Sequence, residues 1–291
     1  MELIYRYDPF QPVTINRPAD SASAIEALLD GNRRLVGMVN RMQRAAIDGD
    51  DAPPEVVSVD LVSMGLPFLP GATLDQAPYA LVLGCSDARV PIESVFDQSF
   101  NDLFVIRIAG NVLGTECIGS VDYAVRHFGG SLKAIVVVGH TGCGAVTAAV
   151  DTYLSPTAFT DIALTHPLRT LIDRIMIAVR AAAIAFDRCF GHEIHKHPGY
   201  RGALIEASVY LNAAIAAFDL QREARAAMAE QVKAYYGVCD IGTMLVRDLP
   251  PQPTTSTPHL SPAPKDAESF IALADQIVKT VFAGLETPEV R

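Results

Sequence analysis

Three short apolar runs constrain the fold of this chain more than any other feature. They are YALVLG (79–84), LFVIRIAG (103–110) and KAIVVVGH (133–140), and each is apolar at nearly every position. Strands that are buried on both faces of a parallel sheet have this composition. Between the second and third runs, ECIGSVDYAVRHFGG (116–130) repeats apolar residues at helical spacing and ends on two glycines. We therefore predict an α/β fold with a mainly parallel central sheet flanked by helices.

Helical patterns continue on both sides of this unit. Residues 21–46 have apolar residues at helical spacing after a serine start, whereas 47–75 holds Pro, Gly and Asp clusters typical of a loop. GAVTAAVDTYL, directly after Cys143, predicts a further helix. Residues 165–236 are mostly alanine-rich helical segments, interrupted near 189–200.

The chain divides into three predicted regions. Residues 1–249 form a single α/β domain that includes an N-terminal helical arm and a helical insertion. Residues 250–265 are rich in Pro, Ser and Thr, which predicts a linker. Residues 266–291 contain a C-terminal amphipathic helix, DAESFIALADQIVKTVFAGL, which we expect to dock on the body of the protein or on a partner subunit.

Charge and cysteine content exclude several classes of protein. The net charge of −10 argues against a nucleic-acid or anionic-membrane partner. We find neither an uninterrupted apolar run long enough to span a membrane nor a basic, then apolar, N-terminal leader. Five scattered cysteines do not resemble a disulfide framework. We therefore expect a cytoplasmic protein whose thiols are free to bind metal.

Reactive side chains follow two of the predicted strands. Cys85 comes directly after the first run, His140 ends the third, and Cys143 lies three residues further on. Because the carboxyl ends of parallel strands meet at one edge of a sheet, these side chains are expected to lie together. Two thiolates and one imidazole suit Zn²⁺, and three protein ligands leave the fourth position open, as at a catalytic zinc.

An acid–base pair accompanies these ligands. Asp87 and Arg89 share the parity of Cys85, so in an extended segment all three side chains point the same way. Arg89 can hold the carboxylate ionised, and zinc lowers the pKa of a bound water towards about 7, which provides a nucleophile beside Asp87. A single Cys or His at a strand end is more often a core residue. The joint pattern of C-x-D-x-R and H-x-x-C favours the metal site.

CSDARV (85–90) and HTGCGAV (140–146), with the spacing between them, resemble the β-class carbonic anhydrases. The similarity extends over 75–146, and ALLDGNRRLV and YYGVCDIGTMLV resemble the N-terminal helix and terminal strand of that family. The resemblance implies Zn²⁺ on Cys85, His140 and Cys143, with Asp87 and Arg89 as the catalytic pair. It also implies a homodimer or a larger dimer-based oligomer, with the active-site cleft at the subunit interface.

The same resemblance assigns a substrate pocket. Gln76 matches the substrate-orienting glutamine, Phe104 and Tyr123 match pocket aromatics that could also be core residues, and the Gly144 amide matches a donor near the substrate. Relatives inhibited by bicarbonate at a second site carry Trp where this chain has Val82, so that control is not expected here.

The implied activity is reversible hydration of carbon dioxide to bicarbonate and a proton, that is, a carbonate dehydratase. Two alternatives stay open: a hydrolase of carbonyl sulfide or carbon disulfide on the same zinc site, and a non-catalytic zinc scaffold or sensor subunit. Asp87 could also take the fourth zinc position in a resting form. A second histidine-rich stretch, CFGHEIHKH (189–197), has metal-like spacing but is interpreted as a solvated polar loop, since no strand or helix is predicted to fix its side chains.

Overall fold

The computed structural model describes residues 3–7, 17–49, 55–59, 71, 75–155, 157, 166–227, 231–251 and 257–286. In chain order the elements are β1 (Leu3–Tyr7), α1 (Ser21–Asp48), β2 (Glu55–Val59), β3 (Ala80–Gly84), α2 (Ile92–Val95), β4 (Leu103–Arg107), α3 (Thr115–His127), β5 (Ala134–His140), α4 (Gly144–Leu154), α5 (His166–Phe190), α6 (Tyr200–Ala226), β6 (Lys233–Cys239), β7 (Val246–Arg247), β8 (Ser261–Pro262) and α7 (Ala267–Glu286). Short 3₁₀ helices cover Ala109–Asn111 and His192–Lys196.

The central sheet is mainly parallel, as predicted. Its strands β4, β3, β5 and β6 lie side by side in that order and all run parallel. The short strands β7 and β8 pair with β6 in the antiparallel direction. The three apolar runs of the sequence are therefore neighbouring strands, which brings their carboxyl ends to one edge of the sheet.

Helices cover both faces of this sheet. On β3, Leu81 and Leu83 pack with the buried residues of α3 and α6, whereas Ala80 and Val82 pack with those of α1. Alternate residues of a strand point to opposite faces, so a strand with two covered faces is apolar throughout. All five residues of β3 are buried, which accounts for the unbroken apolar run.

Residues 47–75 contain a strand that the sequence analysis did not predict. β2 pairs in parallel with β1, with Leu3 opposite Glu55 and Tyr7 opposite Val59. The prediction of a loop is therefore wrong at Glu55–Val59. The run EVVSV is only five residues long and follows two prolines, so the signals of a loop outweigh it in the sequence.

The C-terminal segment is part of the body of the protein. β8 pairs with β6, and Leu260 beside it is buried. α7 packs its apolar face, which includes Ile277 and Val278, into the same hydrophobic cluster as α5 and α6. Within the predicted linker, residues 259–263 thus bond to strands of the sheet, while 252–256 fall outside the described residues.

In the described part of the chain, one helix, α6, is long and apolar enough to cross a membrane by length and composition alone. In this fold, however, 72% of its most apolar window is buried inside the protein. It contacts β5 and β6 of the sheet as well as α5 and α7, as expected of a central core helix.

Candidate metal centre

The structure brings Cys85, His140 and Cys143 together at the carboxyl edge of the sheet. One ligand atom from each lies within 4.8 Å of the other two, and all three residues are buried. β3 and β5 are directly paired, which places Cys85 beside the end of β5. The spacing and burial fit a site that excludes bulk water around a single metal ion.

A tight turn carries the other two candidate ligands, His140 and Cys143. Gly142 has a φ of +65°, which allows the chain to reverse between His140 and Cys143, so that Cys143 stands at the N-cap of α4. The Thr141 amide donates to the Cys239 carbonyl, 3.0 Å away, which fixes the turn to β6. The order H-x-G-C is thus dictated by the geometry of the turn.

The His140 ring is oriented for metal binding. Its Nδ1 lies 3.0 Å from the Thr141 carbonyl, and because a carbonyl can only accept, Nδ1 must carry the proton. In the neutral ring Nε2 is then the unprotonated nitrogen, and among the described residues it has no hydrogen-bond partner although it is buried. A buried lone pair left unsatisfied is costly, and a metal ion would satisfy it.

The two thiols interact closely. A hydrogen bond from Cys143 lowers the pKa of the Cys85 thiol, and the Gly110 amide donates to Cys85 Sγ at 3.3 Å. The same pairing, together with burial, raises the pKa of Cys143. The site therefore stabilises thiolate at Cys85, and a divalent cation would displace the remaining proton.

Asp87 and Arg89 form the predicted pair, but through a turn. Arg89 Nε and Nη2 donate to the Asp87 oxygens at 2.9 and 2.7 Å, and the Arg89 amide donates to Asp87 Oδ1 at 2.9 Å. The extended path assumed from parity is therefore wrong between these residues. Hydrogen bonds from Arg89 hold the pKa of the Asp87 carboxyl well below its usual range. Asp87 Oδ2 lies 3.8 Å from His140 Nε2, next to the ligand set.

Two residues that the sequence analysis missed stabilise this edge of the sheet through hydrogen bonds to backbone carbonyls. Arg107, at the end of β4, donates to the carbonyl oxygens of Cys85 and Asp87 at 3.0 and 2.5 Å. Asn212 of α6 donates to the Gly110 carbonyl at 2.8 Å. Arg107 belongs to an apolar run, where a charged residue is itself a signal. Asn212 carries no such signal, because its role depends on how α6 packs.

We expect Gly110→Ala to lower the free energy of unfolding by roughly 2–5 kcal/mol, combining a strained backbone with overpacking. Gly110 has a φ of +68°, and an added Cβ would lie 2.8 Å from Ile175 Cδ1. Urea denaturation would measure the loss. The control is Gly119→Ala, in α3, where an added Cβ meets nothing within 4 Å. Equal stability of Gly110→Ala and wild type would contradict the steric argument.

The four predicted pocket residues lie in three places. Gly144 follows Cys143 directly and is exposed. Phe104 and Tyr123 belong to an aromatic cluster, with ring centroids 6.3 Å apart, and Phe104 packs against a different hydrophobic cluster from that of Cys85 and Cys143. Gln76 is exposed just before β3. Within one chain, therefore, no described contact joins these aromatics to the thiols.

A cavity of about 290 Å³ opens beside the His140–Cys143 turn, between Thr141 and α6. Glu206 of α6 lines it together with Tyr210 and Asp240. Burial, and to a smaller extent the charge of Asp240, raises the pKa of the Glu206 carboxyl.

This shift predicts a pH-dependent change in stability. A carboxyl whose pKa is raised by folding destabilises the folded protein as the pH rises above its ordinary value, here 4.5. Glu206→Gln should therefore have a higher free energy of unfolding than wild type at neutral pH, and the difference should shrink as the pH falls towards 4.5. Urea denaturation across this range, with the exposed Glu223→Gln as control, tests the sign; a difference independent of pH would refute it.

Comparisons with known proteins agree with these features. A family model described as "Carbonic anhydrase" matches residues 80–186. Carbonic anhydrase 2 of Mycobacterium tuberculosis is 46% identical over 80 residues, which cover 28% of this chain and 38% of that protein. The carbonic anhydrase of Mycolicibacterium smegmatis is 36% identical over 133 residues, or 46% of this chain and 54% of that one. This chain thus spans about half the length, or less, of these two relatives.

Among solved structures, a Coccomyxa β-carbonic anhydrase in complex with acetazolamide aligns with a TM-score of 0.49. It is 22% identical, and the alignment covers 91% of this chain and 99% of that one.

Proposed function

We propose that this protein is a carbonic anhydrase, which catalyses the reversible hydration of carbon dioxide to bicarbonate and a proton; the match of residues 80–186 to the carbonic anhydrase family model supports the proposal. The observation that carries the proposal is the buried set of Cys85, His140 and Cys143. Beside the Asp87 carboxylate, the imidazole nitrogen Nε2 of His140 has no hydrogen-bond partner in the described part of the chain. Two sulfurs and one nitrogen suit zinc, which when bound supplies a Lewis acid that makes water nucleophilic at neutral pH.

Asp87 would then orient the nucleophile. Its carboxylate stays ionised because Arg89 donates three hydrogen bonds to it, two from the guanidinium and one from the backbone. An ionised carboxylate can only accept, so it fixes the direction of a water proton and leaves a lone pair free to meet the electrophilic carbon. Arg107 keeps the loop that carries Asp87 in place through two backbone carbonyls.

We further propose that the cleft is completed by a second copy of the chain. Tyr123 is 47% exposed although it stacks with other rings, and Phe100 and Gln76 are exposed as well. Since the aromatic cluster and the thiols pack against separate parts of the core, a homodimer would allow Gln76, Phe104 and Tyr123 to serve the metal site of the other subunit.

Mixed oligomers test the shared cleft. Cys85→Ser and the double variant Gln76→Ala, Tyr123→Ala should each be nearly inactive alone. If the cleft is shared, an equal mixture after exchange of subunits should recover about a quarter of wild-type activity, because half the dimers are mixed and each contains one intact cleft. Activity equal to the mean of the two parents would show that each cleft is built from one chain.

A stopped-flow assay on the zinc-loaded protein tests the reaction itself. We expect carbon dioxide hydration far above the buffer rate at neutral to mildly alkaline pH. Negligible hydration with fast sulfide release from carbonyl sulfide would overturn the proposal in favour of a sulfur-substrate hydrolase. No turnover of either substrate would favour a zinc scaffold.

We also propose a cytoplasmic location, which the five free cysteines support.

A further inference from the structure

We propose that Asp187, His192 and His195 form a second metal site, for a divalent transition-metal ion such as zinc, at the corner between α5 and α6. The site shares no residue with the Cys–His–Cys set, and the inference goes beyond the proposed function. It is one of two groups of potential metal ligands in the described part of the chain.

The three ligand atoms are already close together. Asp187 Oδ1 lies 2.7 Å from His195 Nε2 and 3.4 Å from His192 Nδ1, and one potential ligand atom from each of the three residues lies within 4.8 Å of the other two. Around a tetrahedral metal with bonds of about 2.0–2.2 Å, ligand atoms stand roughly 3.3–3.6 Å apart. Small rotations of the two imidazoles would reach this arrangement.

The three candidate ligands lie on secondary structure that the sequence analysis did not predict to fix them. Asp187 lies in the last turn of α5, and both histidines lie on the 3₁₀ helix that follows. Gly191, with a φ of +76°, makes the turn between them. The His195 ring stacks on Tyr200 with centroids 4.7 Å apart, which limits its rotation. The interpretation of this stretch as an unframed polar loop is therefore wrong.

The nearest cation pairs with another residue, so the Asp187 carboxylate is contacted by the two histidines. Lys196, the nearest cation along the 3₁₀ helix, pairs with Glu193 at 2.7 Å. His197, another candidate from the sequence, accepts a hydrogen bond from the Gly199 amide and its ring meets Phe282. A hydrogen bond to Asp187 explains the position of His195 but not the approach of a second imidazole. His192 is 83% exposed, so an ion can reach the site from solvent.

The ligand set of two imidazoles and one carboxylate indicates which metal ions the site would bind. Nitrogen ligands suit zinc, cobalt, nickel and copper, whereas magnesium and calcium require mainly oxygen ligands. With three protein ligands, water would complete the coordination.

Metal stoichiometry tests the site. The protein would be dialysed against Zn²⁺, and its zinc measured by mass spectrometry. We expect two equivalents in wild type but one in His192→Ala and in Asp187→Asn. The matched control is His259→Ala, because His259 pairs with a carboxylate, Asp248, at 3.1 Å and lies outside both groups of potential metal ligands; this variant should keep two equivalents.

Cobalt separates the two sites without relying on a variant that must fold. The second equivalent of Co²⁺ should add weak visible bands and no thiolate-to-cobalt charge transfer, and its dissociation constant should rise at least about tenfold in His192→Ala, as expected for a lost ligand. A single equivalent in wild type, or an undiminished second one in His192→Ala, would overturn the inference. Loss of turnover with this site intact would instead count against the proposed function alone.

Discussion

Asp87→Asn is expected to lower kcat for carbon dioxide hydration by about 10²–10⁴-fold, the usual contribution of a positioned acid–base group, while the bound zinc is retained. Asparagine keeps the size of the side chain but loses its charge. It also presents an N–H where the carboxylate only accepts, so water near His140 Nε2 would be turned away from the reactive direction. Stopped-flow hydration and metal analysis on the same sample measure the two quantities.

The control for this variant is Asp97→Asn. Asp97 is an exposed aspartate that pairs with Arg34 at 2.5 Å, and its φ of +45° is one that asparagine tolerates. It should retain full activity. If Asp87→Asn lost zinc together with turnover, Asp87 would be a ligand, as in the resting form considered from the sequence.

Cys143→Ser is expected to abolish zinc binding and to reduce hydration to the uncatalysed rate. A serine hydroxyl is a poor ligand for zinc compared with a thiolate. Cys143 is only 1% exposed, so the hydroxyl would be buried as well, at a cost of about 1–3 kcal/mol in unfolding free energy if it stays unpaired. Denaturation in the presence of a chelator separates this cost from the stabilisation that bound metal provides.

Cys117→Ser gives the matched comparison. Cys117 is also buried, on α3, and packs in a different hydrophobic cluster. It should show a similar loss of stability but normal zinc content and turnover. If both variants kept their zinc, Cys143 would not be a ligand.

The central sheet could be predicted because its strands are buried on both faces. β3, β4 and β5 lie within the three apolar runs, and α4 covers the predicted residues. β2 could not, because a short strand between loop signals depends on its partner β1, which lies about 50 residues away. Propensity within one segment carries no information about such pairing.

Part of the candidate site could also be predicted from the sequence, and part could not. Cys85, His140 and Cys143 could be placed together from the sequence because they lie at, or just beyond, the carboxyl ends of two predicted parallel strands. The turn at Asp87 had a local signal, since an aspartate often accepts from the amide two residues on. The assumption of an extended segment hid it. Asn212 is 102 residues from the Gly110 carbonyl that it supports, and only the packing of α6 reveals that contact.

The place of β6 in the sheet has a consequence for biosynthesis. This strand borders β5 along its whole length, yet the ribosome adds it almost a hundred residues after Cys143. In a nascent chain, Cys85 and Cys143 are therefore synthesised before β6, the strand that anchors the His140–Cys143 turn. We therefore expect ion capture to follow the synthesis of β6, and chaperones or reductants that shield cysteines in that interval to raise the yield of loaded protein.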